Sequence, residues 1–464
     1  MKHLTCALVM LLCTGATLAA KDPADIMATT VLTKAGIQAT VCEMPRVGDG
    51  TLAAALARAG VAQVHALAAD AKAADAARKP AAASGLLGSQ VIIETGNSDA
   101  LPLGEWVADL YLVTDATDAN LKTLPATEMA RVLSPYRGTA VVGNPGGGKS
   151  GLSKSALSEW ARGAGGTATI DEDVTGLWMV VKMPPLAGGD DWTHYAHGPD
   201  QNRYSKDDAL RWPYLLQWAS KPYYDGKFDM AVAAGGRLFR ANATLAVGGT
   251  TTDGITARSA YNGGVLWKRK TADDFGTFGS LIVATAEVVY LKDGSGVLCL
   301  DAETGTERKR FSLSDDPQTE CKWLALQDGV LVTVIGRRPK QKSLRGLPNE
   351  LTAANGDTEN WGNTPRNFGI HQQWFQDYDR GTKLIALDAT SGQELWRYSE
   401  AGIDPAKTAI AARRVFCYAD RADAVCLDLT TGKTIWKTAA TIVRDPRGTG
   451  WSFTFLITVR VGAP

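Results

Sequence analysis

The feature that most constrains the fold is a stretch that recurs. Lys383 to Trp396 reads KLIALDATSGQELW, a small residue, Asp, Gly and Trp at fixed spacing: Ala386, Asp388, Gly392 and Trp396. The same frame returns as Cys426, Asp428, Gly432 and Trp436. Two further copies depart from it in part. One has Cys299, Asp301 and Gly305 with Lys309 in the tryptophan place, the other Ala257, Ser259, Gly263 and Trp267. The anchors at 267, 309, 396 and 436 imply a unit of about forty residues, with an insertion of similar size between the second and third anchors. A unit this short cannot bury its own apolar face, so such units stack.

Within each unit, apolar runs such as Leu281 to Leu291, Val297 to Leu300, Arg414 to Tyr418 and Ala424 to Leu427 read as antiparallel strands. An Asp followed by Thr-Gly or Ser-Gly suits a tight turn in which Gly takes positive φ and Asp caps nearby N–H groups. The Trp then opens the next strand, where its ring can bury on a neighbouring unit. Four short strands per roughly 40–45 residues is a propeller blade. The pattern resembles the tryptophan-docking motif of the pyrroloquinoline-quinone (PQQ) type β-propellers. That resemblance implies that Trp267, Gly305, Asp388, Gly392, Trp396, Asp428, Gly432 and Trp436 hold blades together.

The chain has 464 residues with 49 basic and 49 acidic side chains, a balance that gives no reason to expect nucleic acid as partner. Residues 1–20 carry Lys2, an apolar run from Leu4 to Leu12 and small residues to Ala20, as a secretory signal peptide does. Leu12 stands where a lipoprotein anchored at Cys13 needs a small residue. No later apolar run reaches membrane length. The expectation is an exported protein, periplasmic or extracellular, without a membrane span. Cleavage leaves Cys42, Cys299, Cys321, Cys417 and Cys426. Cys299 and Cys426 fill the small buried slot of the repeat, whereas Cys417 and Cys426 would face each other across a turn at Asp420 to Asp423, a candidate bridge.

Residues 21–185 alternate helix and strand. Helices are expected at Asp25 to Ala35, Thr51 to Ala59, Ala71 to Ala83, Thr127 to Leu133 and Ser155 to Gly163. Strands are expected at Gln38 to Glu43, Val61 to Leu67, Val91 to Glu94, Ala108 to Thr114 and Thr139 to Val142, then near Ala168 to Asp171 and Leu177 to Lys182. Strict alternation argues a mainly parallel sheet covered on both faces. This run resembles the class I S-adenosylmethionine methyltransferase fold. Glu43, Gly48 and Gly50 fit its first strand and glycine-rich loop, but Pro45 and Val47 occupy places where leading glycines would stand. Asp70 comes two residues after the expected ribose carboxylate, and Asn97 replaces the acidic residue near the adenine. RVLSPYRG, Arg131 to Gly138, keeps the late helix-turn-strand motif. The domain is expected to be degenerate.

Gly143 to Ser150, GNPGGGKS, satisfies the phosphate-loop pattern with Lys149 and Ser150. Too few residues follow it to build the strands such a core needs, so it reads as a glycine-rich connection. Residues 186–228 form a linker and lead-in, beginning in Met183 to Gly189. Trp192, Tyr195, Asn202, Arg203, Tyr204, Ser205 and Trp218 resemble the corresponding segment of quinoprotein dehydrogenases. His194 and His197 lack further ligands, so no metal is expected; the segment should lie over the first blade.

The blades are expected over 229–464: about Asp229 to Lys270, with Val232 to Arg240 as its clearest strand, Phe278 to Ser312, Trp323 to Tyr398 and Ile410 to Lys437. An insertion occupies 337–381, and a strand at Trp451 to Val461 begins a remnant. The fold class is therefore multidomain, an α/β Rossmann-like, methyltransferase-like domain followed by an all-β PQQ-like propeller with an incomplete ring. The dehydrogenase resemblance implies a quinone at the propeller axis with calcium held by Glu, Asn and Asp, a catalytic Asp and often adjacent cysteines. No adjacent pair exists and no catalytic residue can be assigned. The expected function is a non-catalytic binding or scaffold module for protein or polysaccharide. PQQ with calcium in a dehydrogenase, or S-adenosylmethionine in a methyltransferase, are the alternatives.

Overall fold

A computed structural model describes residues 22–212, 216–219, 230–242, 254–271, 281–337, 381–419 and 423–439. The expected signal peptide, nearly all of the insertion and the remnant strand lie outside these residues.

The first domain runs α1 (Pro23–Ala35), β1 (Val41–Met44), α2 (Thr51–Arg58), β2 (Gln63–Ala68), α3 (Ala71–Ala83), β3 (Val91–Thr95), β4 (Leu110–Val113), α4 (Ala126–Val132), β5 (Thr139–Asn144), α5 (Lys154–Ala161), β6 (Thr167–Asp173) and β7 (Gly176–Lys182). The sheet order is β3-β2-β1-β4-β5-β7-β6, with β1 to β5 parallel and β7 antiparallel between β5 and β6. Three of the five helices described start on a side-chain cap. Asp22 and Asp70 cap α1 and α3 by accepting N–H bonds, and Ser153 caps α5. Alanines at 53, 54, 57, 74, 77 and 81 let α2 and α3 lie close to the sheet and to each other. Gly50 marks that closeness, since a Cβ there would collide with the Ala77 carbonyl.

Four four-stranded antiparallel sheets follow among the described residues. They are β8 (Met230–Ala234) to β11 (Val265–Arg269), with β9 (Arg237–Asn242) and β10 (Gly254–Ser259); and β12 (Ile282–Ala284) to β15 (Glu307–Ser312), with β13 (Val288–Asp293) and β14 (Gly296–Asp301). Next come β16 (Thr319–Gln327), β17 (Val330–Arg337), β18 (Gly381–Asp388) and β19 (Glu394–Ile403), then β20 (Thr408–Ala411), β21 (Arg414–Ala419), β22 (Asp423–Asp428) and β23 (Thr434–Ala439).

The repeat frame has the same stereochemistry in every sheet. Small residue pairs with anchor residue across the outer hairpin: Ala257 with Trp267, Cys299 with Lys309, Ala386 with Trp396 and Cys426 with Trp436. A register shift follows immediately in each, the same β-bulge four times. Asp388 Oδ1 accepts from the N–H groups of Thr390 and Ser391 and from the Ser391 hydroxyl; Asp428 does the same with Thr430 and Thr431, and Asp301 with Glu303 and Thr304. Each turn closes by the Gly N–H donating to the carbonyl of the Asp, or of Ser259 in the first sheet. The glycines sit at φ between 67° and 80°. The rings pack as the frame implies. A Cβ at Gly305 or Gly432 would lie 2.5–2.9 Å from ring atoms of Trp267 or Trp396, and the indole N–H groups donate to Ala302 and Leu429 carbonyls. In the second sheet Phe311, not Lys309, covers Gly392.

Three expectations need correction. Val232 to Arg240 is two strands, because Gly235 and Gly236 both take positive φ and reverse the chain into a hairpin. Cys417 pairs with Val425 and Cys426 with Phe416, so the two cysteines are not opposed. The pairing is offset by one residue from the expected centre, which turns their side chains to opposite faces; all five described cysteines are free thiols. The lead-in does not stay over the first blade. Trp192 bridges to Ala233 on β8, Thr193 and His194 to Ala284 and Val283 on β12, His194 to Leu326 on β16, and Pro199 accepts from Ile410 on β20.

Candidate functional site

Three places collect polar side chains: the carboxyl ends of the parallel strands, the contact between the two domains, and the inner edge of the blades.

At the first, parallel pairing sets Glu43 beside His65 and beside Tyr111, so all three point to one face. Glu43 Oε2 lies 2.6 Å from His65 Nδ1, and His65 Nε2 lies 3.4 Å from Glu94 Oε2. Glu43 is fully buried and its Oε1 has no partner, whereas Glu94 is half exposed. Burial pushes the Glu43 carboxyl up. Burial opposes charge on His65 too, yet Glu43 and then Glu94 hold the imidazole above its ordinary value. Together the three side chains form a carboxylate–imidazole–carboxylate row from half-exposed Glu94 to buried Glu43.

Of the other expected nucleotide contacts, Gly50 and Asp70 are engaged within the domain, whereas Gly48 and Asn97 are exposed. Val47 is buried and its N–H donates to Leu67, Gly50 N–H donates to Val47, and Thr51 N–H to Asp49. Arg46 makes two hydrogen bonds to Asp115, across the point where β1 and β4 diverge. Gly48 takes positive φ in open space. Gly50 is needed for helix approach, Asp70 caps α3, and Asn97 is exposed in the loop after β3. The glycine-rich stretch at 143–150 ends in a single 3₁₀ turn, Gly147–Ser150, with Ser150 donating to Gly147; α5 starts only after it, on its own Ser153 cap.

At the domain contact, Arg137 is 1% exposed and Asp109 is not exposed at all. Arg137 donates to Asp109 at 2.9 Å, to the Gln38 carbonyl at 2.8 Å, and to both oxygens of Glu303 at 2.9 and 3.1 Å. Glu303 sits in the second sheet's repeat turn and also accepts from Arg237 on β9. Burial alone would raise the Glu303 carboxyl, but Arg137 and Arg237 hold it below the ordinary carboxylate value. Asp109 further accepts from Thr40 and from Asn262 of the first sheet's turn. One buried cluster thus joins β4, the Tyr136–Gly138 turn and two blade turns. Sequence reading missed it. Its visible signals were Arg137 within the quoted YRG motif and Glu303, where the third and fourth turns have Thr390 and Thr430.

At the inner edge, the first strands of successive sheets adjoin one another, β8 with β12, β12 with β16, and β16 with β20. His194 is buried among them. Leu326 N–H donates to its Nε2 at 3.0 Å, so the ring proton is on Nδ1, 2.7 Å from the Thr193 hydroxyl. Burial, with His197 nearby, pushes the imidazole down to about 3. His197 instead bonds Asp190, which also accepts from Ser205 and Lys206. Among the described residues no group of three or more His, Cys, Asp or Glu is arranged to hold a metal ion, and no helix is long and apolar enough to cross a membrane.

Residues 380–450 match the family described as outer membrane protein assembly factor BamB. Among solved structures, the chain is similar to a quinohemoprotein alcohol dehydrogenase from Pseudomonas putida HK5 at 13% identity and TM-score 0.36, covering 54% of this chain and 40% of that one. It is similar to BamB from Moraxella catarrhalis at 13% identity and TM-score 0.26, covering 48% and 64%. It is also similar to a chain from Methanococcus maripaludis described as an S-adenosyl-l-methionine-dependent methyltransferase, at 18% identity and TM-score 0.27, covering 35% and 85%. The chain thus spans less than half the length of the dehydrogenase and just under two thirds of that BamB. Comparison with curated proteins returns no match. The molecule joins an α/β domain with a mainly parallel sheet to four-stranded antiparallel sheets, and the matched residues 380–450 take in the last of these described sheets.

Proposed function

We propose that this is an exported PQQ-like propeller repeat protein that acts as a non-catalytic binding or scaffold module for protein or polysaccharide, its methyltransferase-like domain serving as a fixed buttress. The observation that carries this reading is the path of Trp192 to Pro199 along the first strands of all four sheets. In a quinoprotein dehydrogenase the quinone takes the propeller axis; here the chain's own backbone lies along the first strands of the described sheets, with His194 buried and hydrogen-bonded among them. Among the described residues no group of three or more His, Cys, Asp or Glu is gathered to hold the calcium that accompanies PQQ. Against S-adenosylmethionine, the Val47 and Gly50 N–H groups of the loop after β1 bond within the domain and Asp70 caps a helix.

Incubation of the purified chain with PQQ and Ca²⁺, followed by dye reduction across alcohols and aldose sugars, tests the reading. Neither bound quinone nor turnover is expected; saturable turnover would overturn it. Export is checked by sequencing the amino terminus of the protein recovered outside the cytoplasm, expected at Ala20 or Lys21.

A further inference from the structure

The lead-in accepts a hydrogen bond from the first strand of every described sheet. The Ala233 N–H donates to the Trp192 carbonyl at 2.8 Å, the Ala284 N–H to the Thr193 carbonyl at 3.0 Å and the Ile410 N–H to the Pro199 carbonyl at 2.7 Å. The third sheet differs. There the Leu326 N–H donates at 3.0 Å to a side chain, His194 Nε2. β8, β12, β16 and β20 are each at the edge of their sheet, so these N–H groups find their partner in the lead-in and not in a neighbouring strand. Three of the four acceptors are amide carbonyls that ordinary pH leaves unchanged. The fourth is an imidazole nitrogen, which accepts only while it carries no proton.

His194 is 2% exposed. Its Nδ1 lies against the Thr193 hydroxyl, β12 meets it at Val283 and β16 at Leu326. Among the described residues the one titratable group acting on it is His197, which opposes a second positive charge. A proton on Nε2 would point at the Leu326 N–H, so the lead-in must leave β16 before His194 can take one. Burial, with His197 nearby, holds the docked imidazole down to about 3, whereas a released one titrates near about 6.5. Below about 6.5 the released form therefore binds more protons, and acid favours release by about tenfold per pH unit; above it the two forms bind alike.

The base of the segment behaves differently. Asp190 Oδ2 bonds His197 Nε2 and accepts from the Ser205 hydroxyl and the Lys206 N–H, closing residues 190–206 into a loop. Burial opposes charge on Asp190, yet the Lys206 N–H and His197 hold its carboxyl below the ordinary value, so this clip outlasts the His194 contact as pH falls. Inside the loop His197 and Gln201 take φ of 77° and 57°, a left-handed conformation that is unfavourable for both and that release would relax.

We propose that Asp190 to Lys206 is an acid-released strap: near neutral pH it covers the inner edge of the blades, and protonation of His194 frees its middle while Asp190 keeps its base closed. Release uncovers the edge N–H groups of Ala284, Leu326 and Ile410. This adds a control on the inner edge to the proposed function and stands whether or not a partner binds there; dye reduction at neutral pH and strap release are read separately.

Hydrogen exchange of the full chain, followed by mass spectrometry from about pH 7.5 to about 4.5 and corrected for the intrinsic effect of pH, tests the proposal. Peptides holding Leu326 should lose protection by about tenfold per pH unit below about 6.5, with Ala284 and Ile410 following and β17 and β21 unchanged. His194→Gln supplies an amide oxygen that accepts the Leu326 N–H and does not titrate, so its exchange should be flat across the range. His194→Ala should leave Leu326 unprotected at every pH. Unchanged protection at Leu326 in the unaltered chain, loss of protection in β17 and β21 at the same pH, or an acid response that persists in His194→Gln would overturn the proposal. The first two are read on the unaltered chain, so they decide the matter even where a variant does not fold.

Discussion

Replacing Arg137 by Met should separate the two domains energetically. The substitution keeps the length of the apolar stem and removes the guanidinium from Asp109, Gln38 and Glu303. Glu303 retains Arg237 and the Gln38 N–H. Asp109 is left fully buried, with only neutral donors from Thr40, Asn262 and Ser259. An uncompensated buried charge of this kind costs about 3–5 kcal/mol. At a urea dependence of about 2 kcal/mol per molar, the transition of the coupled unit should move down by about 1.5–2.5 M. Intrinsic tryptophan fluorescence and far-ultraviolet circular dichroism in urea should then report two separated transitions where the parent unfolds with the domains coupled. Adding Asp109→Asn removes the stranded charge and should recover most of the loss, since neutral replacements of a buried ion pair are well tolerated. A loss below about 1 kcal/mol, or no recovery in the double variant, would refute the view that this cluster joins the domains.

The blade turns give a matched pair. Gly432→Ala adds left-handed strain and overlap with Trp396 and should cost about 2–4 kcal/mol, whereas Gly329→Ala, at φ 76° with open space around it, should cost only about 1–2 kcal/mol in chemical denaturation. His194 is held neutral when folded, with its imidazole at about 3, and gains a proton near 6.5 when unfolded; stability should therefore fall as pH drops from about 6.5 toward 3, by about 1.4 kcal/mol per pH unit at most. In His194→Gln the difference in proton uptake between folded and unfolded chains should shrink by about one over that window, as measured by melting against pH. Below about pH 4 a second loss should appear, because Asp301, Asp388 and Asp428 have folded values under their unfolded ones and their contribution disappears as pH falls through the folded values.

Much of this molecule was legible because its signals are local. The Asp-x-x-x-Gly-x-x-x-Trp frame encodes a tight turn with Gly at positive φ, which recurs at Gly263, Gly305, Gly392 and Gly432, while the bulge beside it was not foreseen and the rings lying on Gly305, Gly392 and Gly432 are Trp267, Phe311 and Trp396. Helix and strand positions in 21–185 were also legible, since apolar periodicity and capping residues act over a few positions. What escaped depends on long-range placement. Nothing near Arg137 announces Glu303, and nothing in His194 announces Leu326. Gly50 looked like a ligand contact because a loop glycine before a helix is needed in both situations; only the position of Ala77 distinguishes them. The cysteines failed by one residue of register, a shift that no count of spacing across an uncertain turn can exclude.

The central proposal is that the chain binds neither S-adenosylmethionine nor PQQ and acts as a non-catalytic binding or scaffold module. Calorimetric titration of the full chain with S-adenosylmethionine, and separately with PQQ in the presence of Ca²⁺, tests it most directly. No saturable heat is expected in either titration. A one-to-one isotherm with micromolar or tighter affinity in either would contradict the account.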